Sequence, residues 1–210
     1  MKCVTEFAKD YLAGLKAVLD RLPLAALERV VQAIEAAQAA GRQIFVIGNG
    51  GSAATASHMM NDLSKGTLGH KGDAPGPRFR VIALTDNVAL LTAWANDTDY
   101  QHIFSEPLKN LAQPGDLLIA ISASGNSPNI IAAVEVARQM RLKVVGLTGF
   151  GGGKLAALAD VAFVAPSHEY GPVEDVHMIL DHIITAYLYE KLSATGGAGS
   201  GKRGAGRRKG

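Results

Sequence analysis

The chain has 210 residues, of which 48% are hydrophobic and 6% aromatic, enough to build one well-buried α/β domain. Polar residues interrupt its apolar runs, so we expect no transmembrane helix, and its first residues lack the apolar core of a secretory signal. The single cysteine, Cys3, excludes an internal disulfide framework and predicts a reducing compartment, the cytoplasm.

The formal net charge of +2 is unevenly distributed. A glycine-rich segment at residues 196–210 carries five of the Lys and Arg residues, so the rest of the chain has a net charge of −3. Such a segment cannot bury a core, so we expect one domain at residues 1–195 and a disordered basic tail. The tail could contact nucleic acid, but a solubilising role is favoured because no aromatic residue lies between its charges.

Two amphipathic helices are predicted ahead of the first strand. Apolar side chains recur at helical spacing in residues 6–22, and a second helical pattern follows Pro23 and ends at Gly41. The apolar faces of these helices need a surface to cover them, and a partner subunit would provide one.

Five short apolar segments follow, with helical or loop segments between them. They are QIFVIG (43–48), RVIALT (80–85), DLLIAIS (116–122), KVVGLT (143–148) and VAFVAP (161–166). This alternation predicts an α/β fold, a three-layer sandwich in which a five-stranded parallel sheet is flanked by helices. A closing amphipathic helix is predicted over residues 173–192.

Three loops that follow predicted strands are rich in glycine and serine: GNGGS (48–52), SASGNS (122–127) and TGFGGG (148–153). In a doubly wound sheet, ligands bind beyond the carboxyl ends of the strands, where these loops lie. Glycine lets backbone amides approach an anion, serine adds hydroxyl donors, and a following helix N-terminus adds its dipole. The loops therefore predict a phosphate site built without lysine or arginine.

Two other interpretations of these loops are less well supported. The first loop matches a loose dinucleotide-binding fingerprint, but that fingerprint needs an acidic residue at the end of the second strand. Asp73 has the right distance but falls in a Gly/Pro-rich loop, and Asp86 lies too far along. A helix cap would account for Ser127 but not for Ser122 and Ser124.

Four stretches of the chain resemble the sugar isomerase (SIS) domain family, and within it most of all the phosphoheptose isomerases. They are GNGGSAATASHMMNDL, AISASGNSPNIIAAVEVAR, VVGLTGFGGGKLAALAD and VEDVHMILDHIITAYL. The resemblance covers nearly the whole chain except the tail. It implies the SIS fold and the isomerisation of sedoheptulose 7-phosphate to a D-glycero-D-manno-heptose 7-phosphate through an enediol. It also implies a homotetramer whose active sites lie at subunit interfaces that the leading helices help to build.

The resemblance further implies a substrate site. The serines of the second loop would bind the phosphate, the first loop would line the site, and the aspartate of an Asn-Asp pair would contact sugar hydroxyls. The corresponding residues are Asn49, Gly50, Gly51, Ser52, Asn96, Asp97, Ser122, Ser124, Ser127 and Glu174.

By the same resemblance, Asp62 and His182 are the catalytic pair. Members that bind zinc would use four positions, which here are His58, Asp62, Glu174 and His182. Two imidazoles and two carboxylates suit a divalent metal such as Zn²⁺, whose charge would offset the two anions. His58 and Asp62 share one helical face, and Glu174 and His182 lie about 80° apart around a helix axis. His177 and Asp181, on the same broad side, would lie behind the ligands.

Two of these positions depart from the family, which has glutamate at position 62 and glutamine at position 174. The carboxylate of Asp62 lies about 1–1.5 Å further back than that of a glutamate. A misplacement of about 1 Å can cost on the order of a hundredfold in rate. Asp62 therefore serves as a base on a closer helix or mainly as a metal ligand, or else the activity differs from that of the family. Without a metal, the two carboxylates would repel each other and one would take up a proton.

Two alternative functions stay open at the level of sequence. SIS relatives that bind the replication initiator protein, or that sense sugar phosphates, have the phosphate loop but lack the catalytic pair. The two histidines and two acids favour an enzyme, whereas the basic tail keeps the binding module in consideration. An isomerase of another phosphosugar would have the same motifs, because loops such as residues 67–79 set the length of the sugar.

Overall fold

A computed structural model describes residues 2–69 and 77–197. The helices are α1 (Val4–Leu19), α2 (Leu24–Ala39), α3 (Gly51–Ser64), α4 (Val88–Asp97), α5 (Ser105–Leu111), α6 (Pro128–Gln139), α7 (Gly153–Leu158) and α8 (Tyr170–Gly197). The strands are β1 (Gln43–Ile47), β2 (Arg80–Ala83), β3 (Leu117–Ile121), β4 (Lys143–Thr148) and β5 (Val161–Val164). All five predicted strands are confirmed.

The five strands form one parallel sheet in the order β2-β1-β3-β4-β5. Alternate residues of a strand enter different cores: Ile44 and Val46 face α2, α3 and α8, whereas Phe45 faces α5 and α6. The predicted three-layer sandwich is therefore confirmed. The chain order reverses between β1 and β3, so the loops that follow these strands diverge from a crevice, which is where such folds bind ligands.

The two leading helices are confirmed but differ in how they pack. Helix α2 lies on the sheet and buries Val30 and Ile34, whereas Val18 is the one buried residue of α1. Val4 and Phe7 of α1 are 81% and 63% exposed. The apolar face of α1 is thus left largely uncovered within a single chain, as the sequence pattern leads one to expect.

The closing helix is longer than predicted at both ends. It begins at Tyr170 rather than at residue 173, and it ends at Gly197, two residues beyond the predicted domain boundary. The remainder of the predicted tail, residues 198–210, lies outside the described residues. In residues 2–69 and 77–197, no helix combines the length and apolarity that a bilayer crossing requires.

Candidate active site at the carboxyl edge of the sheet

The first loop makes a tight turn from β1 into α3. At Gly48, a Cβ atom would come within 2.4 Å of the carbonyl oxygen of Ser52, so only glycine fits there. The turn starts α3 at Gly51 and leaves the side chain of Ser52 buried beside the sheet edge. The free amides and the positive dipole end of α3 therefore lie at the loop.

In the second loop, two of the three serine hydroxyls lie next to each other. Ser122 Oγ and Ser127 Oγ are 3.3 Å apart, and Ser124 Oγ accepts a hydrogen bond of 3.2 Å from the backbone N–H of Asn126. Ser127 occupies the position before helix α6, but its side chain makes no capping hydrogen bond. Its hydroxyl is therefore available to a ligand, and the capping interpretation of Ser127 is wrong.

The third loop supports the second loop rather than lining the pocket, which corrects the prediction that all three loops form the phosphate site. Gly125 has φ of 66°, and a Cβ atom there would lie 2.0 Å from the carbonyl oxygen of Gly152. The side-chain oxygen of Asn126 accepts a hydrogen bond of 3.0 Å from the backbone N–H of Lys154. These contacts fix the shape of the serine loop from behind.

Together the first two loops and the start of α8 enclose a small polar cavity of about 140 Å³, which we call the serine pocket. Its lining residues are Asn49, Ser52, Ile121, Ser122, Ala123, Ser124, Ser127, Tyr170 and Glu174. It thus contains most of the predicted substrate-binding residues and, as predicted, neither lysine nor arginine. Hydroxyls and the N-termini of α3 and α6 are its means of attracting an anion.

Glu174 lies at the serine pocket and not with the other three predicted metal ligands. A Cβ atom on Gly51 would be 2.6 Å from Glu174 Oε2, so the carboxylate lies against the first residue of α3. The helix dipole of α3 stabilises a negative charge at this place. Glu174 and His182 lie about 80° apart around the axis of α8, but eight residues also separate them by about 12 Å along that axis. Among the described residues, the compact group of possible metal ligands accordingly contains His58, Asp62 and His182 and does not include Glu174.

The other three predicted ligands form a compact cluster between α3 and α8. His182 Nε2 is 3.2 Å from His58 Nε2, and Asp62 Oδ2 is 3.5 Å from the same nitrogen. One ligand atom from each residue lies within 4.8 Å of the other two. The side chain of His58 is 41% exposed and that of Asp62 is 18% exposed, so the cluster is open to solvent on one side.

Such a donor set is chemically suited to a divalent metal. Two imidazoles and one carboxylate are the ligands of several catalytic zinc sites, which keep a fourth position open for water or substrate. We call His58, Asp62 and His182 the imidazole cluster.

Asp181 lies directly behind the imidazole cluster, as the sequence predicts. It is fully buried, and its Oδ2 is 3.9 Å from His58 Nε2. Neither of its carboxylate oxygens has a hydrogen-bond partner among the described residues, and the same is true of the hydroxyl of Thr185 one turn further on. Burial and the nearby negative charge of Asp62 raise the pKa of Asp181 to about 7.

His177 has a different position from the one predicted. Its Nε2 lies 3.2 Å from the carbonyl oxygen of Thr148, so it ties α8 to the third loop instead of standing behind the cluster. Burial lowers the pKa of this imidazole to about 4, which keeps it neutral.

Asn96 and Asp97 do not line the serine pocket of this chain. Both are exposed at the end of α4, where the Asn96 amide donates a hydrogen bond of 2.8 Å to Asp97 Oδ1. The segment approaches the site further on, where the hydroxyl of Tyr100 donates to Asn49 Oδ1 at 3.2 Å.

Three residues at the pocket are not among those predicted from the sequence: Tyr100, Asn129 and Tyr170. The buried amide of Asn129 forms two hydrogen bonds of 2.8 Å with the amide of Asn49, one in each direction. A polar side chain in the first turn of the helix after the serine loop is the signal that could have indicated Asn129. Tyr100 and Tyr170 carry no comparable signal, because their positions depend on how distant segments fold back.

Comparisons with known proteins agree with this arrangement. A family model described as the SIS domain matches residues 6–149. A phosphoheptose isomerase from Rhodospirillum rubrum is 36% identical over 167 residues, which cover 80% of this chain and 86% of that protein. One from Mycobacterium bovis is 37% identical over 188 residues, 90% of this chain and 93% of that protein. The solved structure of phosphoheptose isomerase from Neisseria gonorrhoeae has a TM-score of 0.81 and 27% identity, and the match covers 90% of this chain and 100% of that one.

Proposed function

Because the chain belongs to the SIS domain family, we infer that it is an aldose–ketose isomerase of phosphosugars. Its reaction is that of a phosphoheptose isomerase, the conversion of sedoheptulose 7-phosphate to D-glycero-D-manno-heptose 7-phosphate. The curated relatives and the similar solved structure carry the name phosphoheptose isomerase. The observation that carries the proposal is the position of the serine pocket and the imidazole cluster at two points along one helix, α3.

The distance between the two points suits a seven-carbon substrate. Helix α3 begins at Gly51 beside the serine pocket, and His58 lies seven residues further on, about 10 Å along the axis. An extended heptose chain of six C–C bonds of ~1.5 Å, together with its phosphate ester, spans roughly 10 Å from phosphorus to C1. A substrate held by its phosphate in the serine pocket can therefore present C1 and C2 to the cluster.

The serine pocket is proposed to bind the phosphate. Hydroxyls of Ser52, Ser122 and Ser127 would donate hydrogen bonds to its oxygens, and the N-termini of α3 and α6 would add favourable dipoles. Because the phosphate does not react, its binding energy serves to hold the sugar in position. Glu174 places one negative charge in the lining and favours a pose in which the phosphate lies on the serine side of the pocket.

The imidazole cluster is proposed to transfer the proton. Isomerisation requires a base that removes a proton from the carbon next to the carbonyl, which gives an enediol, and an acid that returns a proton to the neighbouring carbon. We assign these roles to His182 and Asp62, which approach His58 from two sides at 3.2 and 3.5 Å. His58 thereby holds both groups over the same small region.

A divalent metal, with Zn²⁺ as the first choice, fits the cluster. His58, Asp62 and His182 would hold it, since they supply two imidazoles and a carboxylate within 4.8 Å of one another. When bound, the ion would supply Lewis acidity toward the carbonyl and hydroxyl oxygens of the sugar.

The experiment that tests this function is turnover of sedoheptulose 7-phosphate by the purified protein, before and after treatment with a chelator. We expect turnover that falls on chelation and returns with Zn²⁺. Pentose and hexose phosphates serve as controls, because they are shorter by roughly 1.3–2.5 Å and should be converted more slowly. Tight binding of the heptose phosphate without any turnover would contradict the isomerase and favour a sugar-phosphate sensor.

A homotetramer and a cytoplasmic location belong to the same proposal. The exposed apolar residues of α1, among them Val4, Phe7 and Leu12, support an assembly that covers this face. Mass measurement by light scattering would contradict the tetramer if the protein ran as a monomer. The cytoplasmic location depends only on the single cysteine.

A further inference from the structure

We propose that Asp181 is a fourth protein group of the metal centre, so that a divalent cation would be held among His58, Asp62, Asp181 and His182. This inference rests on the proposed function, which needs a cation at the cluster, and it concerns the residues that retain that cation. It also assigns the second carboxylate of the centre to Asp181 in place of Glu174, which lies at the serine pocket.

Three side chains converge on a single nitrogen atom. His182 Nε2, Asp62 Oδ2 and Asp181 Oδ2 lie 3.2, 3.5 and 3.9 Å from His58 Nε2. A ring nitrogen carries one hydrogen or one lone pair and so can make one good hydrogen bond. Hydrogen bonding therefore cannot satisfy all three neighbours, whereas a cation placed among them can interact with each.

The distances place Asp181 next to the centre. Zinc binds nitrogen and oxygen ligands at about 2.0–2.2 Å in a tetrahedral arrangement, in which two ligand atoms are about 3.3–3.5 Å apart. His58, Asp62 and His182 each offer a ligand atom within 4.8 Å of the other two, and Asp181 lies outside this group although its Oδ2 is 3.9 Å from His58 Nε2. Asp181 would therefore move towards the ion when the centre is loaded.

The environment of Asp181 gives an independent reason. The carboxylate is fully buried, and neither oxygen has a hydrogen-bond partner among the described residues. A buried carboxylate without a partner is costly, and burial without hydrogen bonds is normally tolerated where a counter-charge or a metal compensates. Asp181 Oδ2 lies 3.9 Å from His58 in the cluster, so a cation bound to the cluster would supply a positive charge close to the Asp181 carboxylate.

The segment after α3 packs against α8 beside the cluster. Gly66 follows α3, and a Cβ atom there would lie 3.0 Å from Thr185 Cγ2 and 3.7 Å from Asp62 Cβ. Asp62 is thereby held near the part of α8 that lies one turn beyond Asp181.

The test is Zn²⁺ binding to the full chain, measured by calorimetry against a competing chelator, for the wild type and for Asp181→Asn. We expect the variant to bind Zn²⁺ more weakly by on the order of 10–100-fold. The matched control is Glu174→Gln, which removes a carboxylate from the same helix outside the cluster and should leave the affinity within about twofold of the wild type.

Co²⁺ provides a readout that does not depend on turnover. If Asp181 faces the ion, the visible absorption bands of the Co²⁺-loaded protein will change in Asp181→Asn and stay the same in Glu174→Gln. Wild-type Zn²⁺ affinity and an unchanged Co²⁺ spectrum in Asp181→Asn would overturn the proposal. Circular dichroism of the metal-free variant checks that it folds, and Asp181→Glu, which keeps the carboxylate, should bind Co²⁺ more tightly than Asp181→Asn does.

The outcome separates this inference from the isomerase function. If the wild type converts sedoheptulose 7-phosphate but Asp181→Asn binds metal as tightly as the wild type, the proposed role of Asp181 is wrong and the isomerase function stands. If Asp181→Asn binds metal more weakly but the wild type converts no phosphosugar, the role of Asp181 stands and the isomerase function is wrong.

Discussion

The serine pocket and the imidazole cluster lie on the same two helices, α3 and α8, but they are stabilised in different ways. In the pocket, Asn49 and Asn129 satisfy each other through two hydrogen bonds, and Asn126 ties the serine loop to the third loop. In the cluster, two imidazoles and a carboxylate crowd together, and a buried carboxylate behind them has no hydrogen-bond partner among the described residues.

This difference indicates which part of the site is preorganised. A pocket whose polar groups are already hydrogen-bonded keeps its shape without a ligand, so it can bind the phosphate at little cost in reorganisation. Under the proposed function, the cluster, with a buried carboxylate behind it, would be completed by a cation or by the substrate. Changes in the pocket should therefore affect KM, and changes in the cluster should affect kcat and metal binding.

The largest expected effect is the loss of turnover in His182→Ala. Because His182 is proposed to transfer a proton, we expect kcat with sedoheptulose 7-phosphate to fall by about 10²–10⁴-fold. KM should change by less than about threefold, since the serine pocket is intact. Steady-state kinetics measure both values. His102→Ala, which removes a half-buried imidazole outside both regions, is the control, and an equal loss there would contradict the assignment.

The second prediction concerns the pocket. Ser122→Ala removes a buried hydroxyl that lies 3.3 Å from Ser127 Oγ. A hydrogen bond to a charged group contributes about 1.5–3 kcal/mol, so KM should rise by roughly 10–100-fold while kcat falls much less. The inhibition constant of inorganic phosphate should rise in parallel. A fall in kcat at unchanged KM would contradict the assignment of substrate binding to the pocket and of catalysis to the cluster.

The third prediction uses pH to test the contact that joins α8 to the third loop. The folded state holds His177 neutral with a pKa of about 4, against an ordinary value of 6.5. The unfolded chain therefore binds a proton first as the pH falls, and stability is lost between about pH 6.5 and pH 4. The difference corresponds to at most about 3 kcal/mol, and above pH 6.5 this imidazole contributes no pH dependence.

Urea unfolding at pH 7 and pH 4.5 measures this effect. His177→Asn is less stable at pH 7, because it loses packing, but its stability should fall less between the two pH values. Because the pKa of Asp181 is raised to about 7, that group gains stability as the pH falls over the same range and offsets part of the loss in the wild type. The test is therefore the difference between wild type and variant, and an equal pH dependence in both would rule out a neutral, buried His177.

Most of the fold, and the composition of the pocket, could be predicted from the sequence for physical reasons. A strand buried on both faces of a parallel sheet is apolar along most of its length, so the five apolar segments could be recognised as strands. The glycine- and serine-rich loops follow three of these strands and therefore lie at the carboxyl edge of the sheet. The length of α8 was less predictable, because the residues before 173 and after 192 continue the helix without a strong apolar pattern.

The arrangement of the site depends on contacts that spacing does not reveal. The third loop has the same glycine-rich character as the first, yet it lies behind Gly125 because two backbones pack there. Resemblance to the family indicated His58, Asp62 and His182, which come together, but it also indicated Glu174, which does not join them. The proposal that Asp181 belongs to the centre depends on its burial and its distance to His58, which the sequence does not reveal.

The smallest expected effect is that of Tyr100→Phe, at the exposed rim of the pocket. The hydroxyl donates one hydrogen bond of 3.2 Å to Asn49 Oδ1, and the residue is 58% exposed. Water can replace such a partner, so the loss should be near 0.5 kcal/mol, which is about a twofold rise in KM. Tyr189→Phe, which removes a hydroxyl from α8 outside the pocket, is the control. Because the two hydrogen bonds between Asn49 and Asn129 already fix Asn49, a KM increase above about tenfold would show that the rim, and not the preorganised interior, determines binding.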